Sequence, residues 1–225
     1  MNKRFPTLQE ENALTKAGHV AIAGLDEAGR GAWAGPVAAG AVILPLDDPG
    51  LSEKLRGVTD SKLCTPRQRE AYYEVICEVA VAWAVALVPA WCIDEIGIVP
   101  STRQAMAQAI ADLDPAPEAL LIDALRLPQI ALPQRALPKG DLKSLSIAAA
   151  SILAKVTRDR VMVAMNSDYP DYGFARHKGY GTPEHLLALQ CRGPLEVHRW
   201  TFAPVMAVAD GRSRPLPGLN SDVAS

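Results

Sequence analysis

The chain is short of cysteine, of long apolar runs and of net charge, and each shortage excludes something. Its four cysteines, Cys64, Cys77, Cys92 and Cys191, form no CxxC pair and no zinc-ligand spacing. Isolated thiols in a chain of 225 residues fit a reducing compartment, and the cytoplasm is the expected location. The most apolar run, residues 79–90, is far too short to cross a bilayer, and the opening MNKRFPTLQEEN carries charge where a signal peptide needs an apolar stretch. No membrane partner is expected. There is no internal repeat, and no Ser-His-Asp or Cys-His nucleophile signature. The net charge of −2 and the pI of about 6.1 argue, over the whole chain, against a nucleic-acid binder. The balance is uneven, however. Residues 139–178 hold seven basic residues (Lys139, Lys143, Lys155, Arg158, Arg160, Arg176, Lys178) against four acidic ones, a locally positive segment able to neutralise phosphates.

What is present begins with Asp26 and Glu27 in the string GLDEAGRGAWAGP, residues 24–36. The apolar residues 19–25 before them read as a buried strand that ends at Asp26. Adjacent carboxylates on a strand point to opposite faces, so one salt bridge cannot neutralise both. A hard divalent cation, Mg²⁺ or Mn²⁺, is the natural compensation. Gly29-Arg30-Gly31 follows at once: glycines that let backbone approach a ligand, and a guanidinium fork suited to phosphate. Metal ligands beside a phosphate-reading turn indicate phosphodiester chemistry. Asp123 ends a second apolar strand, residues 120–122, and Asp141 follows Lys139-Gly140. Alone, Asp123 reads sooner as a surface strand terminus than as a ligand, and Asp141 equally as a turn or helix-start residue. If the four carboxylates meet, their repulsion calls for one or two cations between them. The Asp94-Glu95 pair reads as a helix or loop face, and Asp47-Asp48 as a solvated loop. His177 and His198 read as structural or surface residues.

The expected elements alternate. A short helix or frayed segment covers residues 7–17, with Thr7 as N-cap. Strands cover residues 37–44, 80–88, 120–122 and 134–137. Thr65-Pro66-Arg67-Gln68 has the composition of a capping box with proline at the first helical position, opening a helix to about Glu78. Further helices start at Pro100, at Ser144 (the longest, residues 144–165) and at Pro183. The organisation expected is an N-terminal extension over residues 1–17, one α/β domain over 18–208 with a helical C-terminal part, and a disordered tail over 209–225.

Asp60-Ser61-Lys62, Leu121-Ile122-Asp123, Lys139-Gly140-Asp141, SLSIAAASILAKVTRDR (residues 144–160) and Gly173-Phe174-Ala175-Arg176-His177-Lys178-Gly179-Tyr180 join the Asp-Glu string in one order. Together, over residues 18–208, they resemble the type 2 ribonucleases H, in particular bacterial ribonuclease HII. The resemblance implies an RNase H-like fold, a mixed sheet of about five strands flanked by helices. It implies an endoribonuclease that hydrolyses the RNA strand of RNA–DNA hybrids and cuts 5′ of single ribonucleotides in duplex DNA. It implies Asp26, Glu27, Asp123 and Asp141 as catalytic metal ligands for Mn²⁺ or Mg²⁺. By the same resemblance Gly29, Arg30 and Gly31 read the 2′-hydroxyl, Tyr180 stacks on the sugar of the next nucleotide, and Ser61 and Lys62 touch the nucleic-acid backbone. Lys143, Ser144, Ser146 and Lys155 cap or flank the longest helix, where a phosphate is favourable, and are expected substrate contacts. A monomer is expected. Two residues depart from the family pattern: Ala124 where glycine is usual, and Gly97 where asparagine is common. The sister type, ribonuclease HIII, has an extra N-terminal domain and usually a lysine in the glycine turn. Here 25 residues precede Asp26 and the turn holds Arg30, so the HII type is expected.

Overall fold

A computed structural model describes residues 5–211. Of the expected tail, residues 212–225 lie outside that range. Five strands form one sheet in the order β3-β2-β1-β4-β5. They are β1 (Ile22–Ala28), β2 (Val37–Ile43), β3 (Ala82–Val88), β4 (Ala119–Asp123) and β5 (Gln134–Leu137). The β1–β2 and β2–β3 pairs are antiparallel, whereas β1–β4 and β4–β5 are parallel. The mixed sheet matches the expected class.

Helices cover both faces. α1 (Gln9–Lys16) precedes β1, α2 (Leu51–Lys54) and α3 (Pro66–Val79) lie between β2 and β3, and α4 (Ala90–Ile96) and α5 (Ile98–Ala111) lead to β4. One face of the sheet, with Ala23, Leu25, Ala39 and Ala41, packs on Met106, Ala109 and Ile110 of α5. The other carries α6 (Leu145–Asp168), whose first half is buried almost all round. Two glycines explain how closely α6 lies. A Cβ on Gly24 would fall 2.2 Å from the Ser146 carbonyl carbon, and one on Gly40 2.4 Å from the Ala150 carbonyl oxygen. The second half of α6 supports a smaller lobe of α7 (Phe174–His177), α8 (Pro183–Arg192) and α9 (Ala203–Ala209), built around Met162, Tyr172, Phe174, Leu189 and Val205.

Several local expectations hold. The box at Thr65 is formed in both directions: Thr65 Oγ1 accepts from the Gln68 N–H at 3.3 Å, and Gln68 Oε1 from the Thr65 N–H at 2.9 Å. Others need correction. Leu8, not Thr7, occupies the N-cap position of α1 and makes no side-chain cap; Thr7 stands one residue earlier, its Oγ1 accepting the Gln9 N–H at 3.4 Å and its backbone paired with the chain before α6 (Thr7 N–H to the Lys143 carbonyl at 3.1 Å, Leu145 N–H to the Thr7 carbonyl at 3.0 Å). β1 does not end at Asp26. Its ladder with β2 continues through Asp26↔Gly40, Glu27↔Ala39 and Ala28↔Ala38, while its register with β4 stops at Leu25↔Ile122. β1 therefore outruns β4 and leaves a notch at the sheet edge. Among the described residues no helix is long and apolar enough to cross a membrane.

Candidate active site

The notch collects the carboxylates. Asp123 stands one residue past the last β1–β4 register pair, beside Asp26 on the neighbouring strand. Asp26 is 5 % exposed, and its Oδ1 accepts the following N–H, that of Glu27, at 2.6 Å. Asp123 Oδ1 accepts the Gly140 N–H at 2.7 Å, which pulls the single-turn helix Gly140–Leu142, and with it the buried Asp141, to the strand ends. Glu27 approaches from the opposite face and accepts from Arg30 Nη1 at 3.1 Å. All four predicted carboxylates thus converge on one end of the sheet.

Their electrostatics show that they crowd. Burial, then Glu27 and Asp123, pushes the Asp26 carboxyl well above the usual range. Burial also raises Glu27, although Arg30 opposes the rise. Asp141 is pushed up to about 6 by burial, then by Asp60 and Asp123. Burial pulls the Lys62 ammonium down, but Asp60, Asp26, Asp141 and Glu27 together outweigh it, and its pKa ends raised. Among the described residues no three Asp, Glu, His or Cys side chains are drawn close enough to clasp an ion as they stand. Asp26, Glu27 and Asp123 each have one oxygen engaged by a protein donor. One oxygen has no donor at all: Glu27 Oε2 is buried and unpartnered. A buried carboxylate oxygen without a donor, in a cluster whose charge is crowded, fits a divalent cation.

The acidic end opens into a cleft of about 310 Å³ lined by Glu27, Ala28, Gly29, Arg30, Gly31, Ser61, Lys62, Lys155 and Tyr180. Seven of these were singled out in sequence as substrate contacts. Lys155 lies with its Nζ 5.2 Å from the Tyr180 ring centroid and 2.7 Å from Asp159. Lys155 and Tyr180 also border a larger groove of about 720 Å³ with Arg69, Arg160, Arg176 and Lys178 on its walls. The remaining contacts fall elsewhere. Lys143 is exposed and outside the cleft lining. Ser144 and Ser146 are fully buried, which corrects their reading as phosphate contacts. Ser144 caps α6, and Glu11 of α1 fills the anion position at that helix start, accepting from Ser144 Oγ at 2.6 Å and the Ser146 N–H at 2.9 Å.

The glycine turn rests on two buried arginines that sequence reasoning missed. Arg158 was counted with the positive surface; it is fully buried and donates to the carbonyls of Pro36 (2.8 Å), Lys178 (2.9 Å) and Ala34 (3.1 Å). Arg199 donates to Arg30 at 2.8 Å and twice to Gly35 at 3.0 and 3.1 Å. Gly29 has φ +89°, and a Cβ there would lie 2.0 Å from Arg158 Nε, so only glycine fits over that guanidinium. Asp60, whose charge and hydrogen bond act on Asp141, was also missed as a site residue, though it stood in the quoted Asp60-Ser61-Lys62. The buried arginines left no such signal: Arg158, in a helix of mixed composition, and Arg199, in the loop between α8 and α9, both look solvated in sequence.

The family profile described as ribonuclease HII matches residues 23–205, the span that contains every part of this site. The chain belongs to the ribonuclease HII family. A curated ribonuclease HII from Roseiflexus castenholzii is 55 % identical over 215 residues, covering 95 % of this chain and 96 % of that one. Among solved structures, the ribonuclease HII of Archaeoglobus fulgidus, in a complex with PCNA, is 28 % identical with a TM-score of 0.71, covering 87 % of this chain and 98 % of that one. The ribonuclease H2 of Pyrococcus horikoshii is 27 % identical with a TM-score of 0.69, covering 85 % and 98 %. As a ribonuclease HII, this protein is a ribonuclease H-type endonuclease acting on nucleic acid.

Proposed function

We infer that this ribonuclease HII hydrolyses the phosphodiester on the 5′ side of a ribonucleotide, in RNA–DNA hybrids and at single ribonucleotides in duplex DNA, leaving 3′-hydroxyl and 5′-phosphate ends. The observation that carries the reading is one cleft: the buried, unpartnered Glu27 oxygen at its acidic end, the Gly29-Arg30-Gly31 turn on its wall, and Tyr180 at its far side. Asp26, Glu27, Asp123 and Asp141 would hold Mg²⁺ or Mn²⁺. Bound there, the cation supplies activation of water and neutralisation of charge at the scissile phosphate. The chain's own groups do the rest. Arg30, set by its ion pair with Glu27 and by Arg199 under its carbonyl, orients the turn toward the ribose 2′-hydroxyl. Tyr180 offers a ring to the next sugar, and the basic groove beyond it suits the backbone of the continuing duplex.

The test is a duplex DNA carrying one ribonucleotide, incubated with Mg²⁺, Mn²⁺, Ca²⁺ or excess EDTA, with the cut mapped to the nucleotide. Cleavage 5′ of the ribonucleotide is expected with the first two ions, little with Ca²⁺, whose looser coordination suits in-line displacement poorly, and none in EDTA. Undiminished cutting in EDTA sinks the metal assignment; cutting on the 3′ side sinks the polarity.

A further inference from the structure

Three histidines lie buried in the smaller lobe, and the chemistry above uses none of them. His177 and His185 stack with ring centroids 4.4 Å apart, and His185 Nε2 faces His198 Nε2 at 3.1 Å. Two identical nitrogens at that separation make a hydrogen bond only if one carries the proton and the other does not. Their remaining partners decide which. The Leu195 N–H donates to His198 Nδ1 at 2.9 Å, so that nitrogen is a bare acceptor and the His198 proton sits on Nε2. His198 Nε2–H then donates to His185 Nε2, leaving the His185 proton on Nδ1. That Nδ1 lies 3.0 Å from the carbonyl oxygen of Tyr180. His177 is assigned the same way: it accepts the Gly179 N–H on Nδ1 at 3.2 Å and faces the Tyr172 carbonyl with Nε2 at 2.6 Å. Every proton has one consistent place, and all three rings are neutral. Burial agrees, holding His185 down to about 3 and His198 to about 4.

We propose that the chain from the Leu195 N–H through His198 and His185 to the Tyr180 carbonyl is a directional hydrogen-bond relay that fixes the pose of Tyr180. His185 and His198 are thereby positioning residues for discrimination at the nucleotide following the ribonucleotide. The proposal rests on the reading of Tyr180 given above. The Tyr180 carbonyl also accepts the Thr182 N–H at 2.8 Å, and the His185 bond is the side-chain part of its hold. Lys178 and Gly179 both have positive φ (+53° and +79°), and the Tyr180 ring reaches over Lys155 and Arg158 rather than into a packed core.

Two substitutions at one position separate positioning from packing. His185→Phe keeps the ring and removes the donor. His185→Asn removes the ring and keeps an N–H donor near the position of Nδ1. The readout is the ratio of kcat/KM on duplex DNA with one embedded ribonucleotide to kcat/KM on a continuous RNA–DNA hybrid, which a mere loss of folded protein leaves unchanged. The relay predicts that His185→Phe lowers this ratio several-fold, by no more than Tyr180→Ala does, and adds nothing in a Tyr180→Ala background. His185→Asn should lower the ratio less than His185→Phe does, because it keeps a donor to the Tyr180 carbonyl and loses only the acceptor for His198. The opposite order, with Asn worse than Phe, overturns the relay in favour of packing. An unchanged ratio in Tyr180→Ala overturns the reading of Tyr180 and the proposal with it, whereas a changed ratio there with none in His185→Phe overturns the proposal alone. Imidazole ¹⁵N NMR of the wild-type protein gives a check that needs no variant. His198 should be the Nε2–H tautomer and His185 the Nδ1–H tautomer; His185 protonated on Nε2 refutes the relay.

Discussion

Asp141→Asn should stabilise the metal-free protein, and only above mildly acidic pH. The wild-type carboxyl is raised from 3.8 to about 6, first by burial and then by Asp60 and Asp123. Roughly two pKa units correspond to about 3 kcal/mol of unfavourable ionisation. The shift is shared with Asp60, Asp123 and Lys62, and relaxation of that cluster leaves a usable figure of about 1–2 kcal/mol. For a domain of this size that is a rise in Tm of about 2–8 °C. Because the folded state binds this proton more tightly than the unfolded chain, wild-type stability falls as pH rises from about 4 to 6 and then levels. The advantage of the neutral Asn is therefore full above pH 6, partial near pH 5 and gone below about pH 4. The assay is thermal unfolding in EDTA at pH 8, 5 and 4, repeated at pH 8 with Mg²⁺ or Mn²⁺. Added metal should raise the Tm of the wild type by linkage and raise that of the variant less. Cleavage by the variant should drop by several orders of magnitude. A lower Tm for Asp141→Asn in EDTA at pH 8, or a gain that persists unchanged at pH 4, refutes the account of Asp141 as a carboxylate held under repulsion.

Tyr180→Ala should cost about 1–3 kcal/mol in kcat/KM on the embedded ribonucleotide, the usual worth of an aromatic contact to nucleic acid, and less on continuous hybrid; equal losses on both substrates place the ring in a purely structural role. Ala124→Gly should stabilise the protein by about 0.5–1 kcal/mol. Ala124 holds φ +52°, where an alanine costs about 1–2 kcal/mol, and the greater freedom of glycine in the unfolded chain returns part of that gain. Urea unfolding measures it, and a loss of stability would contradict the left-handed backbone beside Asp123.

Among the carboxylates, Asp26-Glu27 was announced locally, whereas Asp123 and Asp141 were open to other readings alone and were joined to the pair by the family resemblance. Asp123 ends its strand beside Asp26, and the Gly140 N–H, donating to Asp123 Oδ1 at 2.7 Å, brings Asp141 to the same end. The Thr65 box was legible locally as well, since a cap is a contract among four consecutive residues. The departure at Ala124 was visible as a deviation from the family pattern, and the structure supplies its physical content in a positive φ that glycine would hold without strain. Where β1 ends was not legible. The end of a strand is set by its partners, and the β2 ladder runs on past Asp26 where the β4 register has stopped.

What stayed hidden shares one property: the chain position gives no hint of the partner. Ser144 and Ser146 look like phosphate ligands at a helix start until Glu11, more than a hundred residues earlier, is seen filling that place. Arg158 looks like surface charge until the carbonyls of Ala34 and Pro36 are seen turned toward it. The glycine turn is braced by the two arginines, Arg199 on the Arg30 carbonyl and Arg158 on those of Ala34 and Pro36. A turn proposed to read a single hydroxyl must keep its geometry without the substrate, since mobility there spends binding energy on ordering the site. The turn cannot be stiffened by bulk, because Gly29 must stay bare to fit over Arg158. The chain instead stiffens it by charge-assisted donors from below. Arg158 also holds the Lys178 carbonyl, on the loop that carries Tyr180, so one buried guanidinium ties the proposed ribose-reading turn to the proposed sugar-testing ring.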